Sequence, residues 1–229
     1  MGICLAKRKR VERADVTDAV RAKLNYSSLF WLFLGGSVCG FVLEGLWSVL
    51  RLGVWEDHSA TLWGPFCIIY GFGAVAMYSA YAVLQGQAYR VQFAAYALLG
   101  SLLEFVGSWL QERVFGTVSW DYSGHFLNVG GRISLQMTLI WGALGVLFAR
   151  FVFPHLTRAL PYAKRPPLRI LCVFLSVFMA LNLTVTAAAI LRWRERQSDA
   201  SPSNAVEAFL DATCDDDRMQ SVFSNMQFR

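Results

Sequence analysis

Five apolar stretches of about 20 residues dominate the chain, and they lie at residues 29–50, 66–84, 91–111, 133–153 and 168–191. A helix of that length crosses roughly 30 Å of hydrocarbon. None of the stretches alternates apolar and polar residues as membrane barrel strands do, and helices satisfy their own backbone hydrogen bonds in lipid. The sequence therefore predicts an all-α integral membrane protein, a bundle of about five transmembrane helices.

The composition favours the same class. Hydrophobic residues make up 55% of the 229 residues and charged residues only 16%, which is too apolar for a soluble domain. A basic segment precedes the first stretch and no small-residue cleavage site follows that stretch, which argues against a signal peptide.

We predict four regions: a basic cytoplasmic segment (1–27), a four-helix membrane core (28–157), a basic loop with the fifth helix (158–193), and a polar, flexible tail (194–229).

The distribution of basic residues predicts the orientation of this multi-pass protein in the cell membrane. Many precede the first stretch or lie between the fourth and fifth stretches: Lys7, Arg8, Lys9, Arg10, Arg13, Arg21, Lys23, Arg158, Lys164, Arg165 and Arg169. Five crossings place both segments on one side, which the positive-inside rule assigns to the cytoplasm. Arg192, Arg194 and Arg196 oppose this assignment, because they follow the fifth stretch. The charges near membrane helices suit anionic lipid headgroups, and no motif indicates nucleic acid.

Two glutamates lie inside apolar stretches, in the sequences Gly40-Phe-Val-Leu-Glu44 and Gly100-Ser-Leu-Leu-Glu104. An ionisable group at membrane depth costs roughly 2.5 to 3.5 kcal/mol on insertion scales, so it usually faces a polar interior and marks a functional pathway. We therefore expect the functional site near these two carboxyls.

Small residues share a stripe with each glutamate. Gly36 and Gly40 precede Glu44 at four-residue spacing, and Gly100 and Gly107 flank Glu104. Small residues at such spacing let membrane helices approach closely, so these four glycines are predicted to pack the bundle.

The same order of features occurs twice, which indicates an internal repeat. Each half has a Gly-xxx-Glu stretch, a loop glycine, a loop containing Trp and Asp, and an aromatic-glycine pair in the next stretch. Two spacings differ between the halves, from the glutamate to the loop glycine by three residues and from the pre-helix glycine to the aromatic-glycine pair by four, and each difference is about one helical turn. The hypothesis is that helices 1–2 match helices 3–4, with chance similarity of glycine-rich membrane segments as the alternative.

A polar chamber on the outer side is the predicted site. Glu44 and Glu104 would form its base, and helix N-termini would add partial positive charge. A close carboxyl pair in a low dielectric can share a proton. The candidate substrate-pathway or ion-pathway residues are Glu44, Glu104, Tyr70, Trp120, Asp121, Tyr122, Asn128 and Arg132.

Structural roles are the alternative to this chamber. Either glutamate could form an ion pair with Arg132 or Arg113, and aromatic residues concentrate at membrane boundaries without binding a ligand. His125, four residues after Asp121, is a weak metal signal, so we assign no metal and no cofactor. No Ser or Cys has a nucleophile motif such as G-x-S-x-G, so no catalytic residue is assigned.

Several motifs together resemble one family, the ABC-transporter permease family of CmpB type. They are Gly64-Pro-Phe-Cys-Ile-Ile-Tyr-Gly-Phe-Gly73, Leu103-Glu104, Trp120-Asp-Tyr-Ser123, Leu127-Asn128 and Ile140-Trp-Gly142, and the resemblance covers roughly residues 30 to 157. Two positions depart from the family pattern: Ile68 stands where proline is usual, and Arg132 where an aromatic residue is usual.

The resemblance implies a transport role. Because the chain has no G-x-x-x-x-G-K-[ST] phosphate loop, ATP hydrolysis would need a separate ATPase subunit, with residues 154–167 as the connection able to couple to it. Two other functions stay open: a membrane enzyme that uses a carboxyl as acid or base on a lipid or lipid-linked substrate, and a non-catalytic membrane partner or sensor. A five-helix bundle is small for a solute pathway, which makes a homo-oligomer plausible.

Overall fold

The computed structural model describes residues 24–229, and almost all of its regular structure is helical. The helices are α1 (Tyr26–Leu52), α2 (Ile68–Leu84), α3 (Tyr89–Phe115), α4 (Leu135–Phe151), α5 (Phe153–Ala159), a 3₁₀ turn (Leu160–Lys164), α6 (Pro166–Arg196), α7 (Ala205–Thr213) and α8 (Asp216–Val222). Two short antiparallel strands, β1 (Thr117–Val118) and β2 (Gln227–Phe228), pair with each other. The all-α class is confirmed.

Local chemistry fixes where the membrane helices begin and end. Asn25 caps α1 by accepting a hydrogen bond from the Ser28 amide, and Ser134 caps α4 in the same way through the Met137 amide. α1 and α3 end at Gly53 and Gly116, both in the left-handed conformation that lacks a steric penalty for glycine.

Three helices are long and apolar enough to cross a membrane, namely α1, α3 and α6. α4 joins the segment Phe153–Lys164 at a bend of 50°, and together they make a fourth candidate span. α2 is apolar but has only 17 residues. The prediction of five transmembrane helices is therefore approximate: five helices run through the bundle, and one of them is shorter than an ordinary span.

The helices alternate in direction, so the molecule has two distinct ends. The first turn of α1 contacts the 3₁₀ turn just before α6, where Ser27 Oγ donates to the Ala163 carbonyl at 2.9 Å. The opposite end of α6 contacts the α1–α2 loop, since the Leu62 amide donates to Thr186 Oγ1 at 3.0 Å. We call these the basic end and the loop end. An aromatic core of Tyr78, Tyr96 and Phe153 holds the basic half together.

The C-terminal segment differs from the flexible tail that the sequence predicts. It forms α7, α8 and β2 at the loop end, where Leu210, Met219 and Phe223 are buried beside Leu62 and Trp193. Short helices alone are marginal in water, and burial of an apolar face stabilises them here. α7 is capped by Asn204, which accepts hydrogen bonds from the amides of Val206 and Glu207.

Acidic residues neutralise Arg192 and Arg196, two of the three arginines that opposed the predicted orientation. Arg192 is 3% exposed and makes a bidentate contact with Asp211, with N–O distances of 2.8 and 2.9 Å. Arg196 bonds Asp211 and Asp216, each at 2.7 Å. Paired cations do not count as free positive charge at the membrane surface, so the objection to the predicted orientation is reduced from three arginines to Arg194. The orientation itself stays a prediction. The basic residues from Lys7 to Lys23 lie outside the described residues.

Acidification should release α7 from α6. Hydrogen bonds from the Arg192 guanidinium lower the pKa of Asp211 from 3.8 to about 2. A pKa lowered by folding stabilises the folded state above the unfolded value, and that stabilisation is lost as the pH falls from 3.8 towards 2. Hydrogen exchange in detergent, corrected for intrinsic rates, should show protected α7 amides at neutral pH and faster exchange across that window.

Asp211→Asn should give faster α7 exchange already at neutral pH and remove most of the acid dependence. Asp217→Asn is the matched control, because Asp217 is exposed on the neighbouring helix α8. Equal protection of α7 in wild type and Asp211→Asn at neutral pH would show that the ion pairs do not hold this segment.

Candidate functional site

Glu104 lies inside α3 and accepts two side-chain hydrogen bonds. Tyr122 Oη donates to Glu104 Oε1 at 2.7 Å, and Trp141 Nε1 donates to Glu104 Oε2 at 3.0 Å. The glutamate is only 5% exposed. Each carboxylate oxygen thus has its own donor, one from the α3–α4 loop and one from α4. This satisfies the polar atoms of a buried charged group.

Glu44 lies inside α1 and is held more loosely. Its Oε1 accepts a hydrogen bond from Tyr70 Oη of α2. Among the described residues no second side chain donates to Glu44, and its exposure is intermediate rather than buried. The two carboxyls are therefore unequal, with Glu104 enclosed by two donors and Glu44 partly open.

The groups that surround the two carboxyls lie close to each other. The donors Tyr70 and Trp141 lie side by side, with ring centroids 6.1 Å apart. Burial raises the pKa of the Tyr122 phenol in the loop, and the negative charges of Glu104 and then Glu44 raise it further. Tyr122 consequently stays protonated at neutral pH and keeps its hydrogen for the carboxylate.

Equivalent glycines make room for the donors. A Cβ added at Gly40 would overlap the Tyr70 ring, and one added at Gly100 would overlap the Trp141 ring. Each ring thus packs on the glycine one turn before the glutamate to which it donates. Of the other two glycines predicted to pack, Gly36 lies against Ala74, where an added Cβ would be 2.6 Å away, and Gly107 faces Ile69 more loosely at 3.2 Å.

The same correspondence continues through both helix pairs and supports the internal repeat. Gly71, directly after Tyr70, packs against Phe33, and Gly142, directly after Trp141, packs against Phe93. Phe33 and Phe93 stand at the same distance in sequence before Glu44 and Glu104. The α1–α2 and α3–α4 pairs therefore share a packing pattern as well as an order of motifs.

The two loops repeat a turn as well. Asp57 and Asp121 each accept a hydrogen bond from the amide of the serine two residues later, at 2.7 and 2.8 Å. The residue between them differs: it is Tyr122 in the second loop and His58 in the first. Tyr122 reaches Glu104, whereas His58 Nε2 contacts Ser48 Oγ at 2.8 Å, one turn beyond Glu44.

Arg132 does not pair with either membrane glutamate. It bonds Ser108 at 3.0 Å and forms an ion pair with Glu112 of α3. Because Glu112 neutralises Arg132, the ion pairs considered from the sequence do not hold Glu44 or Glu104. The carboxyls are stabilised by neutral aromatic donors instead.

The remaining predicted residues shape the α3–α4 loop. Trp120 Nε1 donates to the Arg132 carbonyl at 3.1 Å, and the Asn128 side chain donates to the carbonyls of Ser123 and His125, both at 3.0 Å. Asp121 faces the C-terminus, where Arg229 bonds it at 2.7 Å. These three residues hold the loop that carries Tyr122, but none bonds either membrane carboxyl.

Ser48 of α1 meets His58 and Glu56 of the first loop, but the three do not form the relay of a hydrolase. Glu56 lies 3.6 Å from His58 Nε2, the same nitrogen that contacts Ser48. In a catalytic triad the carboxylate and the nucleophile bond opposite nitrogens of the ring. Ser48 is also buried and donates to the Glu44 carbonyl at 3.1 Å. Within residues 24–229, no three His, Cys, Asp or Glu side chains lie close enough together to hold a metal ion.

Comparison with protein families matches residues 31–187 to the family described as Putative ABC-transporter type IV, CmpB type. The match covers more than half of the chain. The protein belongs to this family. Searches among curated proteins and among solved structures gave no significant match. The family region includes both carboxyls, their three aromatic donors and both loops, and it ends before the arginines that bind α7.

Trp141 donates to Glu104, although the sequence did not predict it as a site residue. A signal for its role was present, because Trp141-Gly142 occupies the place in the second half that Tyr70-Gly71 occupies in the first. Tyrosine and tryptophan both carry a donor at the end of a flat ring, so each can fulfil the same task. His58 and Ser48 were also missed, since neither has a motif of its own.

Removing the Tyr122 hydroxyl should destabilise the bundle through Glu104. Tyr122→Phe leaves a buried carboxylate oxygen without its donor, and we expect the free energy of unfolding to fall by about 1 kcal/mol. Reversible unfolding in mixed micelles can measure this change. In a Glu104→Leu background the same substitution should have almost no effect, because the acceptor is gone; equal losses in both backgrounds would contradict the proposed bond.

Proposed function

We propose that this protein is the membrane component of a transporter and that its substrate pathway passes the carboxyls of Glu44 and Glu104. The observation that carries the proposal is the pair of intramembrane carboxylates held by aromatic donors at corresponding positions of two helix pairs. Charged groups at membrane depth are costly, and those that persist there usually serve substrate or ion movement. The family assignment supports the transport role.

The charge at this site favours a cationic substrate or a proton. Arg132 is neutralised by Glu112, and the groups that contact the two glutamates are neutral phenol and indole donors. No described cation bonds either carboxylate, so an arriving cation would meet uncompensated negative charge. Faces of Tyr70 and Trp141 beside the carboxyls could add cation–π attraction for an organic ammonium group.

The two glutamates would have different roles, Glu104 a structural one and Glu44 a binding one. Glu104, enclosed by Tyr122 and Trp141, would fix the arrangement of α3, α4 and their loop. Glu44, partly exposed with a single described donor, would exchange its partner for the substrate cation or a proton. A weaker set of hydrogen bonds suits a group that must repeatedly bind and release.

ATP hydrolysis would come from a separate subunit, since the chain carries no phosphate-binding loop. The bent segment from α5 to the 3₁₀ turn is the largest connection at the basic end and could meet such a subunit. In the predicted orientation that end faces the cytoplasm, where ATP is available. A homo-oligomer, which would enlarge the bundle, remains a prediction.

The transport proposal is tested first by the partner it requires. The full chain, purified in mild detergent, should retain a subunit that carries a Walker A motif, and the complex should hydrolyse ATP in liposomes. Retention of a lipid-linked compound that is chemically altered during incubation, without any ATPase, would support the enzyme alternative and contradict the transport proposal.

Glu44 should be needed for charge movement by that complex. With the complex in liposomes on a solid-supported membrane, addition of ATP should evoke a transient current, and Glu44→Gln should reduce it at least tenfold while complex assembly and melting temperature stay near wild type. Glu104→Gln should lower the melting temperature as well as the current, because one of its two donors then faces an amide NH₂.

Asp217→Asn is the matched control, since it removes a carboxyl from exposed α8 and should leave the current unchanged. A Glu44→Gln complex with wild-type current would remove Glu44 from the pathway. Because exchange of a cation for a proton would also give no current, ATP-dependent uptake of radiolabelled organic cations into the same liposomes serves as the second readout.

A further inference from the structure

We propose that a groove at the basic end binds one anionic glycerophospholipid, with its phosphate between Lys164 and Arg169 and an acyl chain along α6. The groove has a volume of about 650 Å³ and lies between the first turn of α1 and the first two turns of α6. This proposal does not depend on the role of Glu44, because the groove is at the opposite end of the membrane helices from both loops.

Charge at this end is entirely of one sign in the described part of the chain. The cations are Arg90, Arg150, Arg158, Lys164, Arg165 and Arg169. Of the carboxylates within residues 24–229, Glu44 and Glu104 lie inside helices and all the others belong to the loop end. An anionic headgroup at the basic end would therefore meet positive potential with no described competitor.

Lys164 and Arg169 are placed to act together on a headgroup. Both line the groove and are exposed, and neither forms an ion pair with a described carboxylate. Arg165, between them in sequence, is instead held over the Tyr162 ring at 4.4 Å. α1 and α6 both start at the groove, so the partial positive ends of two helices add to the charge of the side chains.

The wall below these cations is apolar. Ile170 and Val173 are 71% and 61% exposed on α6, and they lie within an apolar helix that is long enough to cross the membrane. The groove thus passes from cationic to apolar in the order that a phospholipid does from phosphate to acyl chain. An ATPase subunit would bind beyond the membrane surface and would not need this apolar wall, which is why we commit to a lipid.

The floor of the groove is fixed, so the site does not have to form on binding. Ser27 Oγ bonds the Ala163 carbonyl at 2.9 Å, and Tyr26 Oη bonds Ser176 Oγ at 2.7 Å. These two contacts connect α1 to the 3₁₀ turn and to α6. A preformed groove loses less conformational entropy when a ligand binds.

Native mass spectrometry of the full chain, released from nanodiscs of equal phosphatidylglycerol and phosphatidylcholine with identical acyl chains, tests the proposal. Wild type should retain phosphatidylglycerol in preference to phosphatidylcholine. Lys164→Gln/Arg169→Gln should reduce that retention about tenfold, and Lys164→Arg/Arg169→Lys should restore most of it. Arg90→Gln/Arg158→Gln, which removes equal charge from the same end outside the groove, should change retention less than twofold.

Three outcomes would overturn the proposal. Equal loss of phosphatidylglycerol in the groove variant and the charge-matched control would mean diffuse attraction to the membrane surface. Equal retention of both lipids by wild type would mean that the headgroup charge is not recognised. Unchanged lipid retention with loss of an ATPase subunit in the groove variant would identify this face as a protein contact.

Discussion

A carboxylate inside a membrane needs hydrogen-bond donors that approach it closely, because water is scarce there. A cation would supply stronger attraction, but it would bring a second desolvated charge into the bundle. This chain uses phenol and indole groups instead, and each demands a flat space beside the carboxyl. Gly40 and Gly100 provide that space for Tyr70 and Trp141. The close approach of α1 to α2 and of α3 to α4 thus follows from the need to stabilise the glutamates.

The internal repeat explains why an aromatic donor beside a glycine stabilises a glutamate in both halves. The two glutamates nevertheless differ in the number of donors that they have. Both halves place a glycine, a glutamate and a serine at four-residue intervals and seat an aromatic donor on the glycine. The halves diverge in the loop, where His58 and Tyr122 occupy matching turns but reach different atoms. Tyr122 encloses Glu104, while His58 leaves Glu44 partly open. An asymmetric pair of this kind can combine a fixed support with an exchangeable group, as the proposed pathway requires.

Much of the membrane region could be predicted because its physical signals are local. The lengths of the apolar stretches, the Gly-xxx-Glu stripes and the repeated order of motifs are all visible in the sequence, and the all-α class follows from them. The partners of Glu44 and Glu104 could not be chosen in the same way, since Tyr70 and Tyr122 reach them across 26 and 18 residues. The charge of Arg132 made it a reasonable candidate partner for the two glutamates. It pairs instead with Glu112, one turn beyond Ser108 on α3.

The C-terminal segment shows that a polar composition is a poor guide to whether a segment forms helices. Its composition is typical of a mobile tail, yet Leu210, Met219 and Phe223 are enough to cover one side of two short helices once Arg192 and Arg196 supply partners for the acids. The ion pairs and the apolar contacts depend on each other, because the buried Arg192 needs Asp211 and the packed helix α7 positions it. Through β2 and Arg229 the segment also reaches Gly116 and Asp121, next to Tyr122. The loop that encloses Glu104 is consequently held from both sides, by Arg132 with Glu112 within the family region and by the C-terminus beyond it.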